Sequence, residues 1–191
     1  CSVVPLKTTV IKENLKSMNI NNLTISYENC CVDLKVDNPS EVGADRLCNI
    51  AGVKSKGNFP AIVIDFGTAT TYDAIDKDGK FVGGAIAPGI DISANHLINK
   101  TALLRETIYH FPSSVIGKNT TTNIQSGVMI GGLKSVQGMI DSISKELNYE
   151  DVKIILTGGF GKLISEKLDI PHEYNEKLII IGMLHIYENN K

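Results

Sequence analysis

The sequence lacks the features of a membrane or nucleic-acid protein. Its 191 residues include 19 basic and 21 acidic side chains, which gives a formal net charge of −2, and the lysines are scattered rather than gathered in a stripe. A nucleic-acid surface normally shows such a stripe. No apolar run approaches the roughly 18 residues that a membrane span needs. We therefore expect no nucleic acid and no membrane among the partners.

Cysteine is scarce and poorly spaced for metal binding or cross-linking. The chain has Cys1, Cys30, Cys31 and Cys48 without a C-x-x-C pair, and its four histidines are equally dispersed. Zinc sites and disulfide frameworks show regular spacing of these residues. We predict reduced thiols in a cytoplasmic protein. Hydrophobic residues make up 42% of the chain, which is enough for a core without such cross-links.

The first third of the chain predicts short mixed elements. Apolar spacing indicates a helix over Thr8–Met18, and strands are expected at residues 3–4, Leu23–Tyr27 and Cys31–Val36, the last with alternating apolar and polar residues. These elements favour the α/β class.

A second helix is predicted directly after them. Asn38 and Glu41 have the spacing of a reciprocal capping box, and Pro39 suits the first helical position. The helix should run to about Ser55 and stop at Gly57.

From residue 60 the pattern changes to strands followed by helices, so we predict a boundary between domains 1–59 and 60–191. Asp78-Gly79 is a hairpin turn signal. The expected strands are Ile62–Ile64, Ala69–Ile75, Phe81–Ile86 and Val152–Leu156, and the expected helices are Ile90–Leu104, Asn123–Leu147 and Leu178–His185.

A polar tetrapeptide, Asp65-Phe66-Gly67-Thr68, follows the first of these strands. Glycine lets backbone N–H groups and the Thr68 hydroxyl approach a phosphate, while Asp65 would face a cation. An ordinary hairpin with a polar tip remains the alternative. A protein-kinase reading of the letters DFG is excluded because no G-x-G-x-x-G or H-R-D loop precedes them, and no P-loop spacing occurs in the chain.

A second candidate is Gly43-Ala44-Asp45-Arg46, in the first turns of the predicted helix. The helix dipole favours anions there, and Arg46 could clamp one. Asp45 and Glu41 are four residues apart and would share a face. A solvated helix surface is the alternative reading of this tetrapeptide.

Two further stretches could bind a ligand or serve structure alone. In Ile116–Gly127, Asn119 and three threonines precede a helix, and an N-cap by Thr121 or Thr122 would explain much of this pattern. After the last predicted strand, Thr157-Gly158-Gly159 would let a flat ligand approach the backbone closely, or would make a simple turn.

Taken together, these motifs resemble a known family. The order of the DFGT hairpin, GGAIAPG and a later strand ending in TGG is similar to that of the actin/hexokinase/heat-shock-protein ATPase superfamily. Within it, NPSEVGADR, DFGTATTYDAID, GGAIAPGI, IGKNT, QSG and LTGGF resemble type III pantothenate kinase. The resemblance implies an actin-like α/β fold of mixed sheets flanked by helices. Residues 1–59 would be the C-terminal part of the first domain and 60–191 the second domain.

The resemblance also implies an activity and roles for single residues. Such enzymes transfer the ATP γ-phosphate to pantothenate, with Mg²⁺ on the ATP and a required monovalent cation, K⁺ or NH₄⁺. Asp45 would be the general base, Gly43, Ala44, Arg46 and Thr120 would bind pantothenate, Thr68 would contact ATP phosphate, and Asp65 would bind the cation. A homodimer with the pantothenate pocket at its interface is expected.

One motif of the family is not found in these 191 residues. Family members begin with a strand and a D-x-G-N-T phosphate loop, which nothing here matches. We therefore expect the chain to be a piece that is not a competent kinase alone. Two alternatives to a pantothenate kinase remain. One is a non-catalytic relative that acts as a regulatory accessory factor. The other is a sugar or acyl kinase of the same superfamily, which GADR and the Asn119-Thr120 motif argue against.

Overall fold

The computed structural model of the protein describes residues 5–101 and 109–191. The strand predicted at 3–4 and the last three residues of the helix predicted over Ile90–Leu104 lie outside the described residues.

The chain alternates helices and strands. The helices are α1 Pro5–Ser17, α2 Ala44–Lys56, α3 Ile90–Thr101, α4 Thr120–Gln125, α5 Gly131–Leu147, α6 Gly161–Ser165 and α7 Leu178–Glu188. The strands are β1 Ala61–Phe66, β2 Ala69–Ile75, β3 Phe81–Pro88, β4 Lys153–Gly158 and β5 Glu173–Tyr174. The α/β class predicted from the sequence is confirmed. None of the helices in the described ranges is both long and apolar enough to cross a membrane.

The five strands form one sheet in the order β3-β2-β1-β4-β5. β4 and β5 are parallel, with Ile155 opposite Glu173. The predicted turn between β2 and β3 is confirmed: Gly79 has φ +76°. The Asp76 carboxylate accepts the backbone N–H groups of Asp78 and Lys80 at 3.0 and 2.9 Å, and these bonds hold the turn closed.

Contacts group the chain into two compact units. Unit 1 comprises the described residues up to Ala61 together with Asp73–Gly83 and Lys177–Lys191, and unit 2 comprises the described residues of Ile62–Tyr72 and Gly84–Glu176. Both units are discontinuous in sequence. The division into domains at residues 59 and 60 stays a prediction.

The core of unit 1 is built on the packing of α2 against α7. A Cβ added at Gly182 would overlap the carbonyl of Cys48, and one added at Gly52 would lie 2.7 Å from the Leu178 carbonyl oxygen. The two glycines therefore let the helix backbones approach each other closely. As predicted, α2 ends at Gly57, which has φ +66°, and the closing apolar segment is helical.

The core of unit 2 joins strands β1 and β4 to the helices α5 and α6. β1 is buried almost throughout because its side chains on both faces are covered. The buried residues of this cluster include Ile62, Ile64, Phe66, Leu133, Val136, Ile140, Ile154, Leu156 and Ile164. This core supports the ends of β1 and β4, where the glycine turns lie.

Two strands predicted in the first third are not formed as expected. Leu23–Tyr27 is irregular because the Asn29 side chain bonds the Ser26 N–H and the Thr24 carbonyl, which makes a local turn in place of a ladder. Cys31–Val36 is reduced to one parallel bridge between Leu34 and Phe81.

The predicted capping box at Asn38 is wrong. The Asn38 amide donates to the Glu41 carboxylate at 3.2 Å, and its side chain caps no backbone group. Pro39–Glu41 form a single 3₁₀ turn, and Val42 is extended with φ −73° and ψ 118°. The extended residue interrupts the helix, so α2 begins only at Ala44.

The helix predicted over Asn123–Leu147 begins earlier and is irregular. It starts at Thr120, and a π-helical segment, Ser126–Ile130, separates α4 from α5. The Gly131 N–H donates to the Ser126 carbonyl, five residues back, as a π-turn requires. Periodicity alone did not reveal this break because the apolar face is broad on both sides of it.

Candidate functional site

The GADR motif lies at the start of α2 in unit 1. Gly43 is the N-cap residue, with φ −60° and ψ 144°, and Ala44 is the first helical residue. Asp45 is half-buried in the first turn, where the helix dipole favours a carboxylate. Its Oδ1 accepts the Arg46 backbone N–H at 2.8 Å, which fixes the carboxylate at the helix end. Glu41 does not share a helix face with Asp45, because the chain turns at Val42.

Arg46, the last residue of this motif, is held by two side chains. The Asp73 Oδ1 accepts Nε at 2.7 Å and Nη2 at 2.6 Å. The guanidinium carbon lies 5.2 Å from the centroid of the Phe81 ring, a cation–π distance. Only 15% of the Arg46 side chain is exposed, so the solvated-surface reading does not hold for it.

Asp73 was missed by the sequence reasoning. It lies near the end of β2 and its side chain is fully buried, among neighbours that read as an ordinary strand. The available signal was a carboxylate inside an otherwise buried strand segment, since buried charges occur almost only with a partner.

The DFGT motif forms a tight hairpin tip in unit 2. Gly67 and Thr68 alone connect β1 to β2, and Thr68 is exposed. The Gly89 N–H, just after β3, donates to the Thr68 carbonyl at 3.2 Å. A Cβ at Gly89 would overlap that carbonyl oxygen and would lie 2.6 Å from the Gly67 oxygen. Glycine is therefore required where the Pro88-Gly89 turn meets the tip.

The TGG turn after β4 meets the same hairpin. Gly158 has φ +85°, and a Cβ there would overlap Asp65 Oδ1 and would lie 2.6 Å from the Phe66 nitrogen. The structure thus brings the DFGT, Pro88-Gly89 and TGG motifs together within unit 2. Sequence reasoning grouped these turns only through the family resemblance, although glycines at three strand ends were a usable signal of their own.

The hairpin tip is rich in oxygen atoms. Asp65 Oδ1 lies 3.8 Å from the position of a Cβ at Gly67, and the Gly67 and Thr68 carbonyl oxygens both face Gly89. Alkali and alkaline-earth cations are bound by such carboxylate and carbonyl oxygens. A cluster of three or more His, Cys, Asp or Glu side chains placed for a metal does not occur in 5–101 or 109–191. The tip therefore offers one carboxylate, Asp65, and backbone carbonyl oxygens, which are donors of the type that a hard cation binds.

An aromatic pair lies beside the TGG turn. The Phe160 and Tyr109 rings are tilted, with centroids 5.1 Å apart, and the Tyr109 hydroxyl donates to Asp91. Burial and the hydrogen bond to the Asp91 carboxylate raise the pKa of Tyr109 to about 12. The sequence reasoning did not single out these rings.

Thr120 is the first residue of α4 in unit 2. The N-cap is Asn119, not Thr121 or Thr122: Asn119 Oδ1 accepts the Thr122 N–H at 2.9 Å, and the Thr122 hydroxyl accepts the Asn119 N–H at 3.2 Å. The cap therefore accounts for Asn119 and Thr122 and leaves Thr120 exposed at the helix end.

Thr120 also lines a cavity of about 630 Å³ within unit 2. The cavity lies between α3 and the α4–α5 segment, and its lining is mainly apolar, with Ala87, Ile90, Leu97, Ile124 and Val128. Gly127, Gly131 and Gly132 add bare backbone to the wall. The cavity suits a small ligand that has an apolar body and a few polar groups.

The chain is similar to proteins of a known family. The family model for type III pantothenate kinase matches residues 1–142. A type III pantothenate kinase of Sulfurihydrogenibium sp. (strain YO3AOP1) is 43% identical over 185 residues, which cover 95% of this chain and 73% of that protein. The enzymes of that name from Thermobifida fusca and Streptomyces griseus are 41% and 44% identical over 83% of the chain. The chain spans only 62% and 61% of those two proteins.

A solved structure shares the fold. It is a conserved Campylobacter jejuni protein provisionally described as a Baf family transcriptional activator. The match has a TM-score of 0.64 at 24% identity and covers 94% of this chain and 78% of that one. At this identity the likeness concerns the fold alone.

Proposed function

Because the chain belongs to the type III pantothenate kinase family, we propose that it transfers the γ-phosphate of ATP to the primary hydroxyl of pantothenate. The product would be 4′-phosphopantothenate, in the first step towards coenzyme A. The match of the family model to residues 1–142 carries this proposal. The held carboxylate and guanidinium of the GADR turn and the glycine-lined hairpin tip support it.

Asp45 is the proposed general base. Its Oδ1 is occupied by the Arg46 N–H, so its second oxygen would accept the proton of the pantothenate hydroxyl as that oxygen attacks phosphorus. A general base acts within hydrogen-bond reach of the proton it removes. Gly43, Ala44 and Arg46 would surround pantothenate. The rigidly held guanidinium of Arg46 would bind the negatively charged group of the substrate.

Asp65 and Thr68 are the residues proposed to act on the ATP side of the site, at the phosphates and their cation. Thr68 would donate its exposed hydroxyl to an ATP phosphate, and the tip glycines would let phosphate oxygens reach backbone N–H groups. Asp65 and the tip carbonyl oxygens would hold the monovalent cation, K⁺ or NH₄⁺, which would supply positive charge beside the phosphates. ATP would arrive with Mg²⁺, as phosphoryl transfer generally requires.

Thr120 and its cavity are the proposed place for part of pantothenate. The apolar lining suits the dimethyl carbon of the pantoyl group, and the Thr120 hydroxyl would bond a polar group beside it. We also propose a homodimer, with the pantothenate pocket at its interface, and a cytoplasmic location.

The first test is ATP-dependent phosphorylation of pantothenate in potassium or ammonium buffer. It is run on the 191-residue chain and on the same chain preceded by a family segment that carries the D-x-G-N-T loop. We expect turnover only with the loop, and Asp45→Asn should lower it by roughly 10²- to 10⁴-fold, the usual contribution of a general base.

The control for this test is Asp151→Asn, which changes a surface carboxylate whose side chain is 95% exposed and should leave turnover unchanged. If the folded wild-type protein with the loop gave no product, the kinase proposal would be wrong. The regulatory accessory role would then be the preferred hypothesis. Robust turnover of the 191 residues alone would contradict the expected need for the loop.

A further inference from the structure

Asp73 is a buried carboxylate to which the proposed reaction gives no role. It lies on β2 in unit 1, and its side chain is fully buried. A charge in such a place is costly unless it is paired with good geometry. The pairing here is close: one oxygen, Oδ1, accepts both Nε and Nη2 of Arg46, at 2.7 and 2.6 Å.

The pair restrains one edge of the Arg46 guanidinium, and the Phe81 ring restrains a face. The ring centroid lies 5.2 Å from the guanidinium carbon, and 85% of the side chain is buried. A guanidinium has five N–H donors, of which the Asp73 pair takes two. The other three are consequently held in one direction instead of being spread over the rotamers of a free arginine.

We propose that Asp73 is a positioning residue for pantothenate, an inference that rests on the proposed function. It orients the Arg46 guanidinium beside Asp45 so that the remaining N–H donors meet the oxygens of the substrate. Asp45 itself is fixed separately, through the Arg46 backbone N–H. Loss of Asp73 should therefore weaken the binding of pantothenate and leave the proton transfer at Asp45 in place.

The test is Asp73→Asn, which keeps the shape of the side chain and removes its charge. We expect KM for pantothenate to rise roughly tenfold or more, as for loss of a charge-assisted contact, while KM for ATP stays at the wild-type value and kcat falls less than threefold. All kinetics use the form of the protein in which wild-type turnover is measured. A wild-type KM for pantothenate in this variant would overturn the proposal.

A matched control separates this effect from a general loss of stability. Asp76 is also buried on unit 1, but its partners are the Lys35 ammonium at 3.2 Å and the backbone of the β2–β3 turn. Asp76→Asn should lower the urea midpoint without changing KM for pantothenate. An equal rise of KM in both variants would contradict positioning by Asp73.

Asp73→Glu keeps the experiment decisive if Asp73→Asn fails to fold. It retains the charge pair and displaces the guanidinium by roughly the length of one methylene group, so KM for pantothenate should still rise. The extra buried methylene should lower the urea midpoint, which is measured to show that the protein is folded under the assay conditions. A wild-type KM in a folded Asp73→Glu protein would overturn the proposal. Lack of pantothenate phosphorylation by the wild type would instead reject the proposed function itself.

Discussion

The GADR turn of unit 1 and the hairpin tip of unit 2 hold their polar groups in different ways. At the GADR turn, the guanidinium is held by side chains: Asp73 and Phe81 fix Arg46. At the tip, the backbone does it, because Gly89 and Gly158 let two other turns press against the hairpin. A site held by side chains should fail when a charge or ring is changed. A site held by close backbone contact should fail when a single methyl group is added.

The largest expected effect on stability concerns the helix that carries the GADR turn. This helix, α2, packs against α7 through a close backbone contact. Gly182→Ala would place a methyl group on the Cys48 carbonyl. We expect unit 1 to lose about 3 kcal/mol or more of stability, since neither helix backbone can move cheaply. Gly138→Ala in α5, where a Cβ would meet nothing within 4 Å, is the control and should be neutral or stabilising by about 0.5–1 kcal/mol.

Urea denaturation measures this difference, and alkylation of Cys48 locates it. Burial raises the pKa of the Cys48 thiol to about 11, so iodoacetamide at neutral pH should not modify it while α2 remains packed. Gly182→Ala should make it reactive. Equal midpoints for Gly182→Ala and wild type would show that α2 and α7 do not need this contact.

At the hairpin tip, the matched change is Gly158→Ala. The new methyl group would meet Asp65 Oδ1, and the backbone has φ +85°, so we expect a loss of about 2–4 kcal/mol. Gly159→Ala, whose Cβ would come no closer than 4.0 Å to the Phe66 oxygen, should change the urea midpoint little. Similar midpoints for the two variants would mean that the turn does not press on Asp65.

The smallest predicted effect concerns pH and Asp76. Burial raises the pKa of Asp76, but the Lys80 N–H, the Lys35 ammonium and the Asp78 N–H together lower it below its ordinary value. The stabilisation is therefore full above the unfolded pKa of roughly 4 and is lost as pH falls through the folded value. Asp76→Asn should cost about 1–2 kcal/mol at pH 7, and the two urea midpoints should converge at low pH. A constant gap between them would contradict this linkage.

Much of this arrangement could be predicted from local patterns. The change of pattern after residue 60 predicted β2 at the bounds that the structure has, and Gly57 and Gly79 marked a helix end and a turn. The failures involved side chains that bind something other than their expected backbone partner. Asn38 bonds Glu41 instead of capping a helix, and Asn29 closes a turn where a strand was expected. Local spacing does not distinguish such competing partners.

Within the candidate site, sequence reasoning found single motifs and missed their neighbours. Asp73 is 27 residues from Arg46, and Gly158 meets Asp65 across a still longer separation. Contacts of this kind depend on which strands pair in the sheet, and one sequence does not specify that order. Motif resemblance supplied the proposed roles of the residues, whereas the structure shows which groups hold them.

The π-turn at Ser126–Ile130 accommodates one extra residue within the helix. A regular α-helix rotates about 100° per residue, so an extra residue would otherwise turn every later side chain of α5 by that angle. The wider turn, in which the Gly131 N–H donates to the Ser126 carbonyl five residues back, takes up this residue locally. Leu133, Val136 and Ile140 therefore keep their places in the core of unit 2. A one-residue gap here in an alignment of relatives would accordingly signal a regular α-helix in the same phase.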